Sequence, residues 1–139
     1  MIWRRLLGFG TLCGFGITCA LAGSAWMGKV PATDRVRANP YAGRKKAAAA
    51  GARLFAEHCA QCHGADALGK RGRPGLRSEE VQKATDGEIF WLLKNGSLRR
   101  GMPSWSSLPE PSRWQIITYL KSLGESGKSE SAHPPKENK

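Results

Sequence analysis

Acidic side chains are scarce in this chain: 11 Asp and Glu stand against 22 Lys and Arg in 139 residues, a net charge of +11. An imbalance of that size points to anionic partners or surfaces. Cysteine is scarce as well. Of four, Cys13 and Cys19 lie in an apolar leader, leaving only Cys59 and Cys62 for the rest of the chain, which excludes a disulfide scaffold. No run alternates polar and apolar residues over a strand's length, so a sheet has nothing to be built from. There is no internal repeat, no Ser/His/Asp set, no helix-spaced carboxylate pair with a base and no phosphate-cradling glycine motif. Hydrolytic and nucleotide-using enzymes are therefore disfavoured, and the length excludes a multidomain one. Hydrophobic residues still make up 40% of the chain, enough for a core.

The ends are unlike the middle. Met1-Ile2-Trp3-Arg4-Arg5 is followed by no charge until Lys29, and small residues gather near Ala20-Leu21-Ala22 and Gly23-Ser24-Ala25. Residues 1–27 read as a signal peptide or as an N-terminal membrane anchor, since Leu6 to Met27 has the roughly 20 residues a bilayer-spanning helix needs. Either way Arg4 and Arg5 stay cytoplasmic and the rest is exported, which predicts a periplasmic protein, soluble or tethered. Residues 28–46 hold Pro31, Asn39-Pro40, Gly43 and clustered bases, the composition of an extended linker. Residues 124–139 offer Gly, Ser, Glu, Lys and Pro with little to bury and read as a disordered tail. The folding unit is residues 47–123. Below about 80 residues a core rarely suffices without a staple, and with no disulfide available the staple is expected to be a cofactor.

Within that unit the pattern is helical. Residues 47–62 are rich in strong helix formers, with Gly51, Phe55, Cys59 and Cys62 on one face. Gly51 in a helix interior costs about 1 kcal/mol relative to Ala and so marks a close approach. Ser78-Glu79-Glu80 starts a short helix, and Thr85-Asp86-Gly87-Glu88 is a capping box for a helix that Asn95-Gly96 ends. Pro111 starts a last helix with Trp114, Ile116, Ile117, Leu120 and Leu123 on its apolar face and Gly124 as its stop. The predicted fold is all-α, three to five short helices. The long connections 64–77 and 95–109 call for a function of their own, and wrapping a flat cofactor is one.

Cys59-Ala60-Gln61-Cys62-His63 has the C-x-x-C-H form of covalent haem attachment. Two thiols one helical turn apart reach the two vinyl groups of a porphyrin, and the adjacent imidazole lies beneath the iron. The rivals are weaker. Zinc needs four ligands, and those available are His58 and His63, crowded against the cysteines, and the distant His133. A thioredoxin-like pair needs a strand–helix–strand setting. Met102 is the only methionine outside the leader and lies in Gly101-Met102-Pro103, a stiff, closely approaching loop suited to present a thioether to iron. His58 reads as a half-exposed helix residue. Trp91, Trp105 and Trp114 read as core and pocket lining, with the Trp105 indole N–H near a haem propionate.

Together, Cys59-to-Gly64, Pro74-Gly75-Leu76, Thr85-to-Phe90, Gly101-to-Trp105 and the Trp114-to-Leu123 helix resemble a class I monohaem c-type cytochrome. The resemblance covers nearly all of residues 48–123. It implies one covalent haem c bound by Cys59, Cys62, His63, Met102, Pro74, Leu76 and Trp105, with His63 and Met102 as the iron ligands. It also implies that the first and last helices cross, with Gly51 and Phe55 against Tyr119 and Leu120, and that the Pro74 carbonyl accepts a hydrogen bond from His63. Arg73 stands where that family usually has glycine. Periplasmic cytochromes that accept electrons from quinoprotein or sugar dehydrogenases are the subfamily it suggests.

With both axial positions filled, iron has no place for substrate, so the expected function is a one-electron carrier between a periplasmic dehydrogenase and a respiratory acceptor. The alternatives are a haem subunit of a dehydrogenase or oxidase complex, and a haem sensor or peroxidase in which Met102 is displaced. Lys70, Arg71, Arg73, Arg77, Arg99 and Arg100 bracket the two cofactor loops and predict redox partners with an acidic docking surface. Nucleic acid is not expected, membrane association would run through the N-terminal segment, and the chain is expected to be a monomer.

Overall fold

The computed structural model describes residues 26–131, with side chains described as far as residue 124. Residues 1–25, with Cys13 and Cys19 and most of the segment expected to be a signal peptide or anchor, and residues 132–139, with His133, lie outside the described residues. Among the described residues six α-helices follow in order: α1 (Ala32–Arg35), α2 (Lys45–His58), α3 (Ala60–His63), α4 (Glu79–Lys83), α5 (Asp86–Asn95) and α6 (Glu110–Ser131). Single 3₁₀ turns occupy Met27–Lys29 and Leu98–Arg100. No β-strand occurs among the described residues, and no helix among them is long and apolar enough to cross a membrane.

The architecture rests on α2 crossing α6. Gly51 is where the helices meet: a Cβ built there would run into the Gln115 carbonyl and come to 3.0 Å from Tyr119 Cβ. One turn on, the Phe55 ring lies 5.3 Å from that of Tyr119. Phe55, Phe90, Ile116 and Ile117 are the largest fully buried side chains. Phe90 of α5 stacks on Trp114 of α6 with centroids 4.1 Å apart, which joins the third long helix to the crossing pair. Burial of such rings is the dominant favourable contribution in a domain this small.

Helix α5 begins as its sequence dictates. Thr85 Oγ1 accepts the Glu88 N–H at 3.1 Å, and Glu88 Oε2 accepts the Thr85 N–H at 2.8 Å, so two of the helix's orphan donors are satisfied reciprocally.

Three expectations are corrected. Residues 28–46 are not an extended linker: 28–44 form a strap packed on α5 and α6, and 45–46 already belong to α2. Val30 is buried, Arg35 donates to the Val30 and Met27 carbonyls at 3.1 and 2.7 Å, and Thr85 Oγ1 donates to the Arg35 carbonyl at 2.9 Å. Arg37 lies 4.3 Å over the Phe90 ring and pairs with Glu110 at 2.6 Å. Asn39 donates to Asp86 at 2.9 Å and to Thr118 at 3.1 Å. The strap is held by guanidinium and amide groups, which buried apolar periodicity does not reveal. The helix expected over 47–62 is two pieces, broken at Cys59 (φ −119°, ψ −36°). Gly124 does not stop α6, which runs on to Ser131; a Cβ at that position would collide with the Gln82 side chain. The glycine there serves a close approach, not a helix end.

Candidate haem site

The site is built where α2 gives way to α3. Cys59 closes α2 and belongs to the core, whereas Cys62, one turn later, is exposed; both are free thiols. Burial, reinforced by the neighbouring Cys62, pushes the Cys59 thiol up to about 11. A thioredoxin-like pair needs a strand–helix–strand setting, and among the described residues no strand flanks the C-x-x-C turn.

His63 ends α3 and is half-buried. Its Nδ1 lies 2.9 Å from the Pro74 carbonyl oxygen. A carbonyl can only accept, so Nδ1 carries the proton and Nε2 keeps its lone pair for another partner. The loop that brings Pro74 back is closed by its own backbone: Gly69 N–H donates to the His63 carbonyl at 2.9 Å and Leu76 N–H to the Ala67 carbonyl at 2.8 Å. Gly64 and Gly69 take φ of +81° and +97°, and a Cβ on Gly69 would come within 2.7 Å of the Arg73 carbonyl. Glycine is required at that approach.

Met102 follows α5. Its backbone pairs both ways with Ser97, at 2.9 and 3.1 Å, and Trp105 N–H donates to the Leu93 carbonyl at 2.8 Å. The loop is thus laced to the C-terminal end of α5. Gly96 permits the contact, since a Cβ there would lie 2.7 Å from the Pro103 carbonyl carbon. Met102, Trp105, Leu76 and Leu108 are half-buried and pack on the same core that contains Cys59. Pro74 itself is exposed. The Trp105 ring lies 5.3 Å from the ring of His58, beside the attachment turn.

Three contacts went unread in the sequence. The first is the His58–Trp105 pair. Arg113, on the core-facing side of α6, donates to the Trp105, Ser106 and Leu108 carbonyls at 3.3, 3.1 and 2.5 Å; its signal was a lone buried cation on an apolar helix face. Arg73 Nη1 donates to the Arg100 carbonyl at 2.5 Å, joining the His63 loop to the Met102 loop. Among the described residues no three His, Cys, Asp or Glu side chains are grouped to hold a metal ion, so the zinc reading finds no ligand set among them.

The family described as cytochrome c oxidase, cbb3-type, subunit III matches residues 46–120. The chain belongs to that family. It is a c-type cytochrome domain with an all-α cytochrome c fold. It is 34% identical over 89 residues to the cbb3-type cytochrome c oxidase subunit CcoP of Rubrivivax gelatinosus, covering 63% of this chain and 29% of the relative. To the FixP subunit of Sinorhizobium medicae it is 29% identical over 143 residues, 86% of this chain and 46% of the relative. Cytochrome c550 of Pseudomonas aeruginosa is 32% identical over 88 residues, 60% of this chain and 61% of that one. The chain spans less than half the length of these two oxidase subunits. Cytochrome cL from the methylotroph Methylophaga aminisulfidivorans shares the fold, with a TM-score of 0.53 and 23% identity over 72% of this chain and 74% of that one.

A domain of this kind carries covalently bound haem c and transfers electrons. The residues present suit that group: two thiols a turn apart at a helix end, an imidazole whose Nδ1 is engaged by the Pro74 carbonyl so that Nε2 is the nitrogen left for a ligand bond, and a thioether in a laced loop over an apolar core.

Proposed function

We propose that this domain is a one-electron shuttle in which Cys59 and Cys62 hold haem c through thioether bonds and His63 Nε2 and Met102 Sδ are the axial ligands. The observation that carries the reading is the 2.9 Å contact of His63 Nδ1 with the Pro74 carbonyl, which assigns the tautomer, fixes the ring and makes Nε2 more basic. Bound haem iron supplies the redox chemistry by cycling between ferric and ferrous states. Everything else is the work of the chain. The buried α2–α6 crossing holds the attachment turn rigid, the Ser97 pairing holds Met102, Leu76 and Trp105 would keep water from the group, and the Trp105 indole N–H would be a donor available to a propionate. A thioether ligand favours the ferrous state and raises the potential. Lys70, Arg71, Arg73, Arg77, Arg99 and Arg100 are exposed around Leu68 and Leu98, themselves 63% and 80% exposed. That surface suits transient docking to an acidic partner in the periplasm, with a rate that falls steeply as salt is added.

The test is spectroscopic. Protein matured in a host that attaches haem c should be low-spin, with a sulfur-to-iron charge-transfer band in the ferric form. A protein that is high-spin when ferric and that binds carbon monoxide readily once reduced would refute the ligand assignment and favour a sensor or peroxidase. A second reading is a haem-bearing component of an oxidase complex, supported by the family and by the CcoP and FixP relatives. Size-exclusion of the exported chain separates the two: a shuttle elutes as a monomer, an obligate subunit self-associates through surface meant for its partners.

A further inference from the structure

Arg73 belongs to the His63 loop by its backbone and to the Met102 loop by its side chain. Its N–H donates to the Lys70 carbonyl at 3.0 Å, and it directly precedes Pro74, whose carbonyl accepts the hydrogen bond from His63 Nδ1. Its own carbonyl presses on Gly69, so the backbone at this point has little freedom. From that fixed base Nη1 reaches the Arg100 carbonyl at 2.5 Å. Gly101, the next residue, turns in the left-handed region with φ +71°, and the guanidinium occupies the space a side chain there would take: Nη1 lies 2.6 Å and Cζ 3.2 Å from the position of a Cβ. The planar fork thus donates to one peptide while its flat body lies against the next, an arrangement a lysine ammonium cannot reproduce.

We propose that Arg73 is a positioning residue, a latch that holds the Gly101-Met102-Pro103 loop to the His63–Pro74 loop and thereby sets how rarely the Met102 thioether lets go. The inference rests on the reading of Met102 as an axial ligand. It assigns a task to a residue that neither attachment nor ligation requires, and it makes the affinity of the loop for its closed position depend on one charge-assisted hydrogen bond between loops of separate origin.

The experiment is imidazole binding to the ferric holoprotein at neutral pH, at saturating imidazole, where the rate equals that of Met102 release. In Arg73→Met, which keeps bulk but removes the donor, release should be about tenfold faster, the loss of one charge-assisted bond on a solvent-exposed guanidinium. Arg73→Lys should fall between it and wild type. Arg77→Gln, which removes an exposed cation of the same segment that hydrogen-bonds nothing in the Met102 loop, should release at the wild-type rate. The sulfur-to-iron band should weaken in Arg73→Met and persist in Arg77→Gln. If Arg73→Met and wild type release alike, the latch is refuted while Met102 ligation stands. If Arg77→Gln accelerates release as much, the effect is charge alone and the latch is refuted again. Should the wild-type protein lack the band and bind imidazole without a limiting rate, the ligand reading fails and the latch with it. If Arg73→Met does not mature, Arg73→Lys against Arg77→Gln still decides, because the first disturbs only the bond and the second only the charge.

Discussion

Gly51→Ala sets two effects of opposite sign against each other, and the geometry says which wins. In an isolated helix the substitution would stabilise α2 by about 1 kcal/mol. At this position the new methyl group would sit on the Gln115 carbonyl, 2.5 Å from its carbon and 3.0 Å from Tyr119 Cβ. Ordinary carbon contacts need about 3.5 Å, and the obstacle is the backbone of α6, which cannot rotate aside. The helices must therefore separate by roughly 1 Å, a gap that forfeits a quarter to a half of each attractive contact along the seam, including the Phe55–Tyr119 ring pair at 5.3 Å. Overpacking of this kind costs about 1–3 kcal/mol and occasionally more, so the upper part of that range must be reached for a clear net loss. Because the clash is with the main chain of α6 at Gln115 and is backed by Tyr119 Cβ, we expect a net destabilisation of about 2 kcal/mol, or about 8–16 °C in Tm for a domain of 60–100 residues. Thermal unfolding of the holoprotein followed by far-ultraviolet circular dichroism reads this directly. A Tm equal to or above wild type would show that helix propensity governs and that the helices do not meet at Gly51.

Thr85→Ala removes an N-cap acceptor and the hydroxyl that donates to the Arg35 carbonyl; urea unfolding should show a loss of about 1–2 kcal/mol at unchanged m-value. Lys121 donates to the Val81, Gln82 and Ala84 carbonyls at 3.3, 2.8 and 2.5 Å, closing the C-terminal end of α4. Lys121→Met should therefore cost about 1–3 kcal/mol in the same assay, and an unchanged midpoint would mean that water replaces the ammonium at no loss. Arg37→Ala breaks the Glu110 pair and the stacking on Phe90; limited proteolysis should then cut faster within residues 28–46, whereas equal rates in both proteins would restore the linker reading.

What could be read in advance was local chemistry. The capping box at Thr85 and Glu88 is legible because four consecutive residues carry the whole instruction, and the structure forms both of its hydrogen bonds. The C-x-x-C-H turn is legible for the same reason, since its residues name the haem c that the family carries. Gly51 was read correctly because a glycine in a helix interior costs stability and so demands a reason. The strap was missed because its attachment is made by arginine, threonine and asparagine groups to carbonyls, a carboxylate and aromatic faces up to 79 residues away, and a run of bases and prolines looks the same whether docked or free.

Glycine shows most clearly where local reading ends. Gly51 and Gly124 lie on helices and Gly101 in a turn, and composition cannot tell a helix stop from a contact. Gly124 was read as a stop because nothing apolar follows it, yet what uses the missing Cβ is Gln82, 42 residues earlier, whose amide also donates to the Leu76 and Leu120 carbonyls at 3.2 and 3.1 Å. A side chain at 124 would push Gln82 away from Leu76, and Leu76 is two residues from the carbonyl that orients His63. The absence of a methyl group on the last helix is thereby joined, through one amide, to the Leu76 carbonyl of the loop that follows His63.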